Sequence, residues 1–433
     1  MEKHKIFEIL NDWNYWDKTV PEYIPRDSYQ QKLNSYSRSG EIIVLKGIRR
    51  AGKSSLLVSH INNLINAGID KREILFVNFE DPRFTGELNT TLLDRIIETY
   101  NEYVNDKPVP YVFLDEIQNV SKWEKWVLTG YELKKYHIFI TGSSSKLLSK
   151  EFGTSLGGRY LDIEVFPLTF NEYLQFRKVQ MPDKSELVLK KLKYKKVFND
   201  YIKEGGFPKV ALLDIELKRP EILMYFDTII LKDIVARYNL KNYDYINKVA
   251  LYLLSNIGKP LSFNKIATSL NISYNLIDNY FEYLKNTYLF FEVNRYDYSL
   301  KKQFSNRKKV YCIDNGILSN ISFRISEDYG RYLENTVLIE LRKRGNEIYY
   351  HLGKKECDFI IKSGIEIVQA IQVCRTLYDK STESRELDGL MEAMQQYGLK
   401  EGLILTEDEE NSYYIDDFSV TVKPVWKWLL ETE

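Results

Sequence analysis

The chain has 433 residues, with 61 Lys plus Arg against 61 Asp plus Glu, so no overall charge draws it to nucleic acid or to an anionic membrane. Cys312, Cys357 and Cys374 are too few and too scattered for a disulfide framework or a zinc knuckle, and no apolar run approaches membrane-spanning length. That length leaves room for two or three domains with their own cores, and the composition fits a cytoplasmic protein.

In chain order, the first segment, Ile6 to Trp13, is too polar for a secretory signal. Ile42-Ile43-Val44-Leu45 then reads as a buried parallel strand, and Ser55 to Ile61 has the apolar spacing of a helix. Between them lies Gly47-Ile48-Arg49-Arg50-Ala51-Gly52-Lys53-Ser54, which fits G-x-x-x-x-G-K-[ST] without a mismatch. Strand, glycine turn and helix are the context in which this pattern binds a nucleoside triphosphate. Backbone N–H groups from Gly47 to Ser55 surround the phosphates, Lys53 reaches the terminal ones, and Ser54 offers a hydroxyl to magnesium.

Glu73 to Asp81 reads as a second buried strand with a polar end. Asn78 at that end would hydrogen-bond Glu116 and hold it idle, or these residues simply form a turn. Tyr111-Val112-Phe113-Leu114-Asp115-Glu116 is a third strand, with two carboxylates at the C-terminal end where ligands of open α/β sheets bind. Asp115 is the expected magnesium-shell residue and Glu116 the expected general base for the attacking water. A fourth strand, from Tyr136, ends in small hydroxyl residues, of which Ser143 is the candidate sensor of the γ-phosphate or the attacking water. Gly157-Gly158-Arg159-Tyr160 presents an arginine before a fifth strand. Its guanidinium would stabilise phosphoryl charge in cis or from a neighbouring subunit, or form a surface salt bridge.

From Lys241 to Lys309 there are eleven basic residues against five acids, a local excess that the whole chain lacks. Ile246 to Ser255, Ser262 to Leu270 and Ser273 to Lys285 read as three helices, and Tyr288 to Val293 as a strand, the order of a winged helix. Tyr274, Asn275 and Asn279 would be outermost on the third helix. The tract Lys301, Lys302, Arg307, Lys308 and Lys309 is the better candidate for contact with DNA phosphates, and the alternative is packing within the chain or against a protein. Further on, Tyr332 to Asn335 opens a helix, and two strands follow, Glu356 to Lys362 and Ile367 to Cys374. Val425 to Leu430 would be a docking helix.

These motifs carry a resemblance. Gly47 to Ser54, Asn78 to Asp81, Leu114 to Gln118, Thr141 to Ser144, Gly157 to Tyr160, Phe166 to Tyr173 and Glu204-Gly205-Gly206-Phe207-Pro208 are similar to AAA-type P-loop ATPases of archaea and bacteria related to signal-transduction ATPases. The resemblance implies an α/β fold with a parallel sheet of the additional-strand type, in which the acidic strand is separated from the phosphate-loop strand. It also implies a helical subdomain, a winged helix and a C-terminal α/β domain resembling restriction endonucleases. The expected divisions are 1–175, 176–240, 241–320 and 321–433. ATP as the nucleotide, with Mg2+, rests on this resemblance too.

In the nuclease-like part, Asp358 has its strand but the E-x-K is missing, because Gln372 and Cys374 stand where its Glu and Lys are expected. Cleavage is therefore not expected, and Glu334, Glu356 and Asp358 remain as a candidate residual metal site. The expected function is a magnesium-dependent ATPase driving a conformational switch in a DNA-related, defence or signalling process. The alternative is a nucleotide-stabilised scaffold with little turnover. ATP, DNA, and a protein partner or second copy of the chain are the expected partners.

Overall fold

The computed structural model describes residues 1–105, 107, 109–143, 157–182, 189–322 and 329–431. They form two compact units, 1–165 with 286–288, and 166–285 with 289–433.

In the first unit, β1 (Ile42–Lys46), β2 (Ile74–Asn78), β3 (Tyr111–Asp115), β4 (His137–Gly142) and β5 (Tyr160–Glu164) form a parallel sheet in the order β2-β3-β4-β1-β5. This is a P-loop NTPase α/β fold, and β4 separates the acidic strand β3 from β1. The inner strands are continuous apolar runs because both faces are covered, and every residue of β1 is buried. Helices α1 (Lys3–Trp13), α2 (Asp27–Tyr36), α3 (Lys53–Asn66), α4 (Thr90–Tyr103) and α5 (Trp123–Glu132) complete this unit.

The outer edge of β2 is closed by the segment after α1. Asn14 accepts from the Phe76 N–H at 2.7 Å and donates to its carbonyl at 2.9 Å, and the Trp16 indole donates to the Ile74 carbonyl at 2.9 Å. These bonds satisfy backbone groups that an edge strand would otherwise expose. Ile6, Ile9 and Leu10 of α1 pack into the same core as Leu75, Val77 and Tyr100.

The second unit begins with the helix Phe170–Phe176. Thr169 and Glu172 form a reciprocal capping box at its start, which accounts for the Thr-Phe-Asn-Glu spacing. The helices Lys191–Glu204 and Ile215–Thr228 follow, then Tyr243–Leu254, Phe263–Leu270 and Tyr274–Asn286. Next, β6 (Phe290–Arg295) and β7 (Lys309–Cys312) pair antiparallel.

These two strands are not a free hairpin. β6 also pairs in parallel with β8 (Glu347–Leu352), which places both in a sheet with β9 (Glu356–Ser363), β10 (Glu366–Val373), β11 (Glu401–Thr406), β12 (Asn411–Ile415) and β13 (Phe418–Pro424). The order is β12-β13-β11-β10-β9-β8-β6-β7. The expected divisions at 240/241 and 320/321 therefore do not separate compact units, because a backbone ladder runs across the second. The closing helix Val425–Leu430 is docked as expected, with Trp426 fully buried. Among the described residues no helix is long and apolar enough to cross a membrane.

The Gly205-Gly206 pair is explained by a buried carboxylate. Asp314 accepts hydrogen bonds from the Gly206 and Gly316 amides at 2.6 and 2.8 Å. A Cβ on Gly206 would lie 2.5 Å from the Leu168 carbonyl oxygen, so only glycine lets the chain approach this closely.

Candidate functional site

The turn from Gly47 to Gly52 leaves the C-terminal end of β1 and opens α3. Gly47 has φ +144°, and a Cβ there would collide with the Val165 carbonyl oxygen. Gly52, at φ +96°, is the residue before α3 and gives it no side-chain cap, so the first amides of the helix point into the turn with a positive dipole end behind them. Lys53 is buried, and its ammonium donates to the Gly47 and Ile48 carbonyls at 3.1 Å each. Arg26, not singled out in the sequence, braces the turn by donating to the Ala51 carbonyl at 2.9 Å. Arg49 is held by Glu80 at 2.8 Å. Arg50 has φ +69°, and Ser55 lies in the first turn of α3.

The acidic strand end meets this turn. Ser54 Oγ donates to Asp115 at 2.9 and 2.8 Å, and Thr141 Oγ1 donates to the same carboxylate at 2.6 Å. Glu116 lies 3.7 Å from the Lys53 ammonium. Its backbone is left-handed, φ 55° and ψ 43°, a strained conformation for this residue, and its amide donates to Thr141 Oγ1 at 2.9 Å.

Burial, with the neighbouring Glu116 charge adding, pushes the Asp115 carboxyl up to about 6. Glu116 goes the other way. Burial opposes its charge, but Lys53, Arg49 and a bond from Gln118 together carry it below the ordinary carboxylate range. Two adjacent carboxyls therefore differ in proton affinity, the usual mark of a site with separate electrostatic roles.

Three sequence expectations need revision or refinement here. Asn78 does not hold Glu116. Its side-chain oxygen accepts from the Glu80 amide at 2.8 Å, the turn alternative, and Glu116 Oε2 accepts instead from the Gln118 amide. Gln118 lies two residues on and can fold back over the left-handed turn. Ser143 also reaches Glu116 Oε2, from its amide at 3.3 Å and its hydroxyl at 3.1 Å, so it faces the expected base; Ser144 lies outside the described residues.

Arg159 is at the wrong end of the sheet for a role in cis. Its carbonyl accepts from Ile42 at the start of β1, whereas the phosphate turn leaves the end of β1, about 13 Å away at strand rise. Its guanidinium pairs with Glu132, both half exposed, which is the surface salt bridge.

The acidic cluster in the second unit already contains a cation. Lys309 is buried, with its ammonium 3.2 Å from Glu334, 2.7 Å from Glu356 and 3.0 Å from Asp358. Burial opposes its charge, but Glu334 foremost, with Tyr311, Asp358 and Glu356, holds its pKa well above the ordinary lysine value. Burial pushes Glu334 up to about 7.

Lys309 is therefore not available to nucleic acid, contrary to the reading of the basic tract. Lys308 is also committed, to Glu292 at 3.0 Å, while Lys301, Lys302 and Arg307 are exposed. Gln372 accepts from the Asp358 amide and donates to Glu386, and the buried Cys374 is held protonated, its thiol pushed up by burial. Among the described residues no group of three or more His, Cys, Asp or Glu is arranged to hold a metal ion.

Over 407 residues the chain is 36% identical to Uncharacterized protein MJ1544 of Methanocaldococcus jannaschii, spanning 90% of this chain and 88% of the relative. The chain belongs to the MJ1544 family. The chain is also 32% identical over 414 residues to an uncharacterized protein of Haemophilus influenzae, spanning 94% of this chain and 99% of that protein. Within the MJ1544-family chain, residues 39–174 match the family described as AAA domain, and 195–341 match a domain of unknown function, DUF8612. Among solved structures, the Walker-type ATPase PABY2304 of Pyrococcus abyssi aligns with a TM-score of 0.45 at 15% identity, covering 69% of this chain and 96% of that one.

Proposed function

We propose that the chain is a magnesium-dependent ATPase whose nucleotide state drives a conformational switch. One observation carries this reading: Ser54 and Asp115 share hydrogen bonds at the mouth of a glycine turn whose amides are uncapped, with Glu116 and Lys53 beside them. The donor set fits the group. Amides from Gly47 to Ser55 and the Lys53 ammonium suit the phosphates of ATP, and Ser54 with Asp115 supplies the hard oxygens that Mg2+ prefers. When bound, magnesium neutralises charge on the transferring phosphoryl group. Asp115 would take the cation as its carboxylate. Glu116 would orient and deprotonate the water, and Ser143 would read the far side of the same carboxylate. Arg159 retains a role only from a neighbouring copy of the chain.

The test is Glu116→Gln. Nucleotide retention should persist while hydrolysis falls roughly 10²- to 10⁴-fold, the loss associated with a general base. Failure of the native protein to retain adenine nucleotide with magnesium would sink the reading.

A second reading, a nucleotide-stabilised scaffold with little turnover, is favoured by the hold of Gln118 and Ser143 on Glu116. A single-turnover rate slower than the exchange of the chain's partners would select it.

For the second unit we infer a winged helix in the three helices from Tyr243 to Asn286 and the β6–β7 pair. DNA would be met by Lys301, Lys302 and Arg307 rather than by the whole tract. Tyr274, Asn275 and Asn279 are exposed on the third helix and would add contacts there. The C-terminal α/β region is read as a restriction-endonuclease-like scaffold without cleavage, supported by Gln372, Cys374 and the Lys309 ammonium among its acids. A cytoplasmic place in DNA transaction, defence or signalling fits these parts.

A further inference from the structure

The second unit contains a cavity of about 590 Å3 between the helices Lys191–Glu204, Ile215–Thr228 and Tyr329–Lys343. That volume lies in the range of sites for small organic ligands. Much of the charge at its wall is already neutralised. Lys218, buried, is paired with Glu204, which also accepts from the Tyr173 hydroxyl at 2.5 Å. Arg375 is held by Glu407 at 3.1 Å, with its guanidinium 5.4 Å from the Tyr329 ring centre.

Two cations remain. Lys203 and Arg219 both line the cavity, and among the described residues neither has an acid within ion-pair distance. Among the described residues the acids at the wall are Asp200 and Glu204, the latter already paired with Lys218; burial, and then Glu204, pushes the Asp200 carboxyl up. Ile202, Ile222 and the ring of Tyr332 give the wall an apolar part, and Ser319 and Asn320 a polar one.

An arginine fork and an ammonium without partners suit a phosphate better than a single carboxylate. A carboxyl beside them suits a sugar hydroxyl, and an isoleucine and tyrosine wall suits a flat base. We propose that this cavity is a second ligand site, taking a nucleoside monophosphate. The phosphate would sit on Lys203 and Arg219, the ribose hydroxyl on Asp200, and the base against Tyr332. The site shares no residue with the phosphate turn, so it stands or falls independently of ATP hydrolysis.

The experiment is calorimetric titration of the full chain with AMP, with adenosine and inorganic phosphate as separate probes. Both Lys203 and Arg219 are exposed, so Lys203→Glu with Arg219→Glu should fold, and the melting temperature checks that. The expected result is AMP binding that is unchanged in Lys53→Ala and weakened roughly tenfold or more in the double variant. Adenosine and phosphate alone should each bind more weakly than AMP. If the double variant melts well below the native protein, Asp200→Asn serves instead, with a smaller expected loss of AMP affinity. The proposal is overturned by absence of AMP binding, by AMP binding that survives the double variant, by its loss in Lys53→Ala, or by phosphate alone binding as tightly as AMP.

Discussion

The Lys309 ammonium stands 3.0 Å from the Asp358 carboxylate, inside a cluster of three acids. The lysine comes from β7 and its partners from the helix Tyr329–Lys343 and β9, so a single side chain ties three elements together. Lys309→Met would leave Glu334, Glu356 and Asp358 facing one another without a cation. The expected loss is about 3–5 kcal/mol of stability in urea denaturation. Adding Glu334→Gln and Asp358→Asn should recover part of it, because the repulsion is removed with the cation. Equal stability of Lys309→Met and native protein would show that the ammonium is not the counter-charge.

Gln118 donates its side-chain amide to Glu116 Oε2, beside the phosphate turn. Gln118→Ala removes one of three hydrogen bonds to Glu116 Oε2 and leaves those from the Ser143 amide and hydroxyl. Basal ATP hydrolysis should rise several-fold, of the size expected when one charge-assisted hydrogen bond of about 1–2 kcal/mol is removed from the resting state. In the Glu116→Gln background the same change should do nothing. A fall in hydrolysis on Gln118→Ala alone would assign Gln118 to water positioning instead.

Asp314 predicts a pH signature. Burial pushes its carboxyl up to about 6, although the Gly206 and Gly316 amides favour the charged form. A carboxyl that binds its proton more tightly folded than unfolded stabilises the fold fully below the unfolded value of 3.8, and that contribution is lost as pH rises through about 6. Between pH 4 and 7 the native protein should therefore lose roughly 2 kcal/mol relative to Asp314→Asn. Paired denaturation curves at both pH values measure this, and parallel pH profiles would count against it.

Gly206→Ala tests the geometry beside that carboxylate. The added methyl would meet the Leu168 carbonyl oxygen at 2.5 Å, and backbone cannot swing aside as a side chain can. A loss of about 2–4 kcal/mol is expected from such overpacking. Gly345→Ala, whose methyl meets nothing within 4 Å, should lose less and mainly through its left-handed backbone, φ +80°.

If DNA is a partner, Lys301→Glu, Lys302→Glu and Arg307→Glu should weaken binding uniformly across sequences. Each should lower the slope of log affinity against log salt by about 1. Lys308→Glu should instead act through the lost Glu292 contact and through stability. An unchanged slope in the triple variant would remove this surface from consideration.

The nucleotide half of the molecule was legible because its signals are local. A glycine turn between a strand and a helix, and two acids ending an apolar run, lie within short stretches of chain, and the sheet places Ser54 against Asp115 across 61 residues. The resemblance also gave the separation of the acidic strand from the phosphate-loop strand. What was not legible depends on partners distant in sequence.

Asn14 and Trp16 looked like ordinary polar and aromatic residues until their bonds to Phe76 and Ile74, 62 and 58 residues away, closed the sheet edge. Lys309 was counted with a solvated basic tract, and nothing local marks it as the one that turns inward to acids 25 and 49 residues further on. Arg159 was misplaced for a related reason. Its position just before a strand fixes which end of the sheet it occupies, and the motif alone ignores that end.

β6 is hydrogen-bonded to β7 on one side and β8 on the other. A pull applied through the helices from Tyr243 to Asn286 would reach the C-terminal strands along a continuous peptide ladder rather than through a compliant hinge. Stretching a single molecule between attachment points at Asn242 and Glu431 should then rupture this part in one step, the behaviour of a rigid lever.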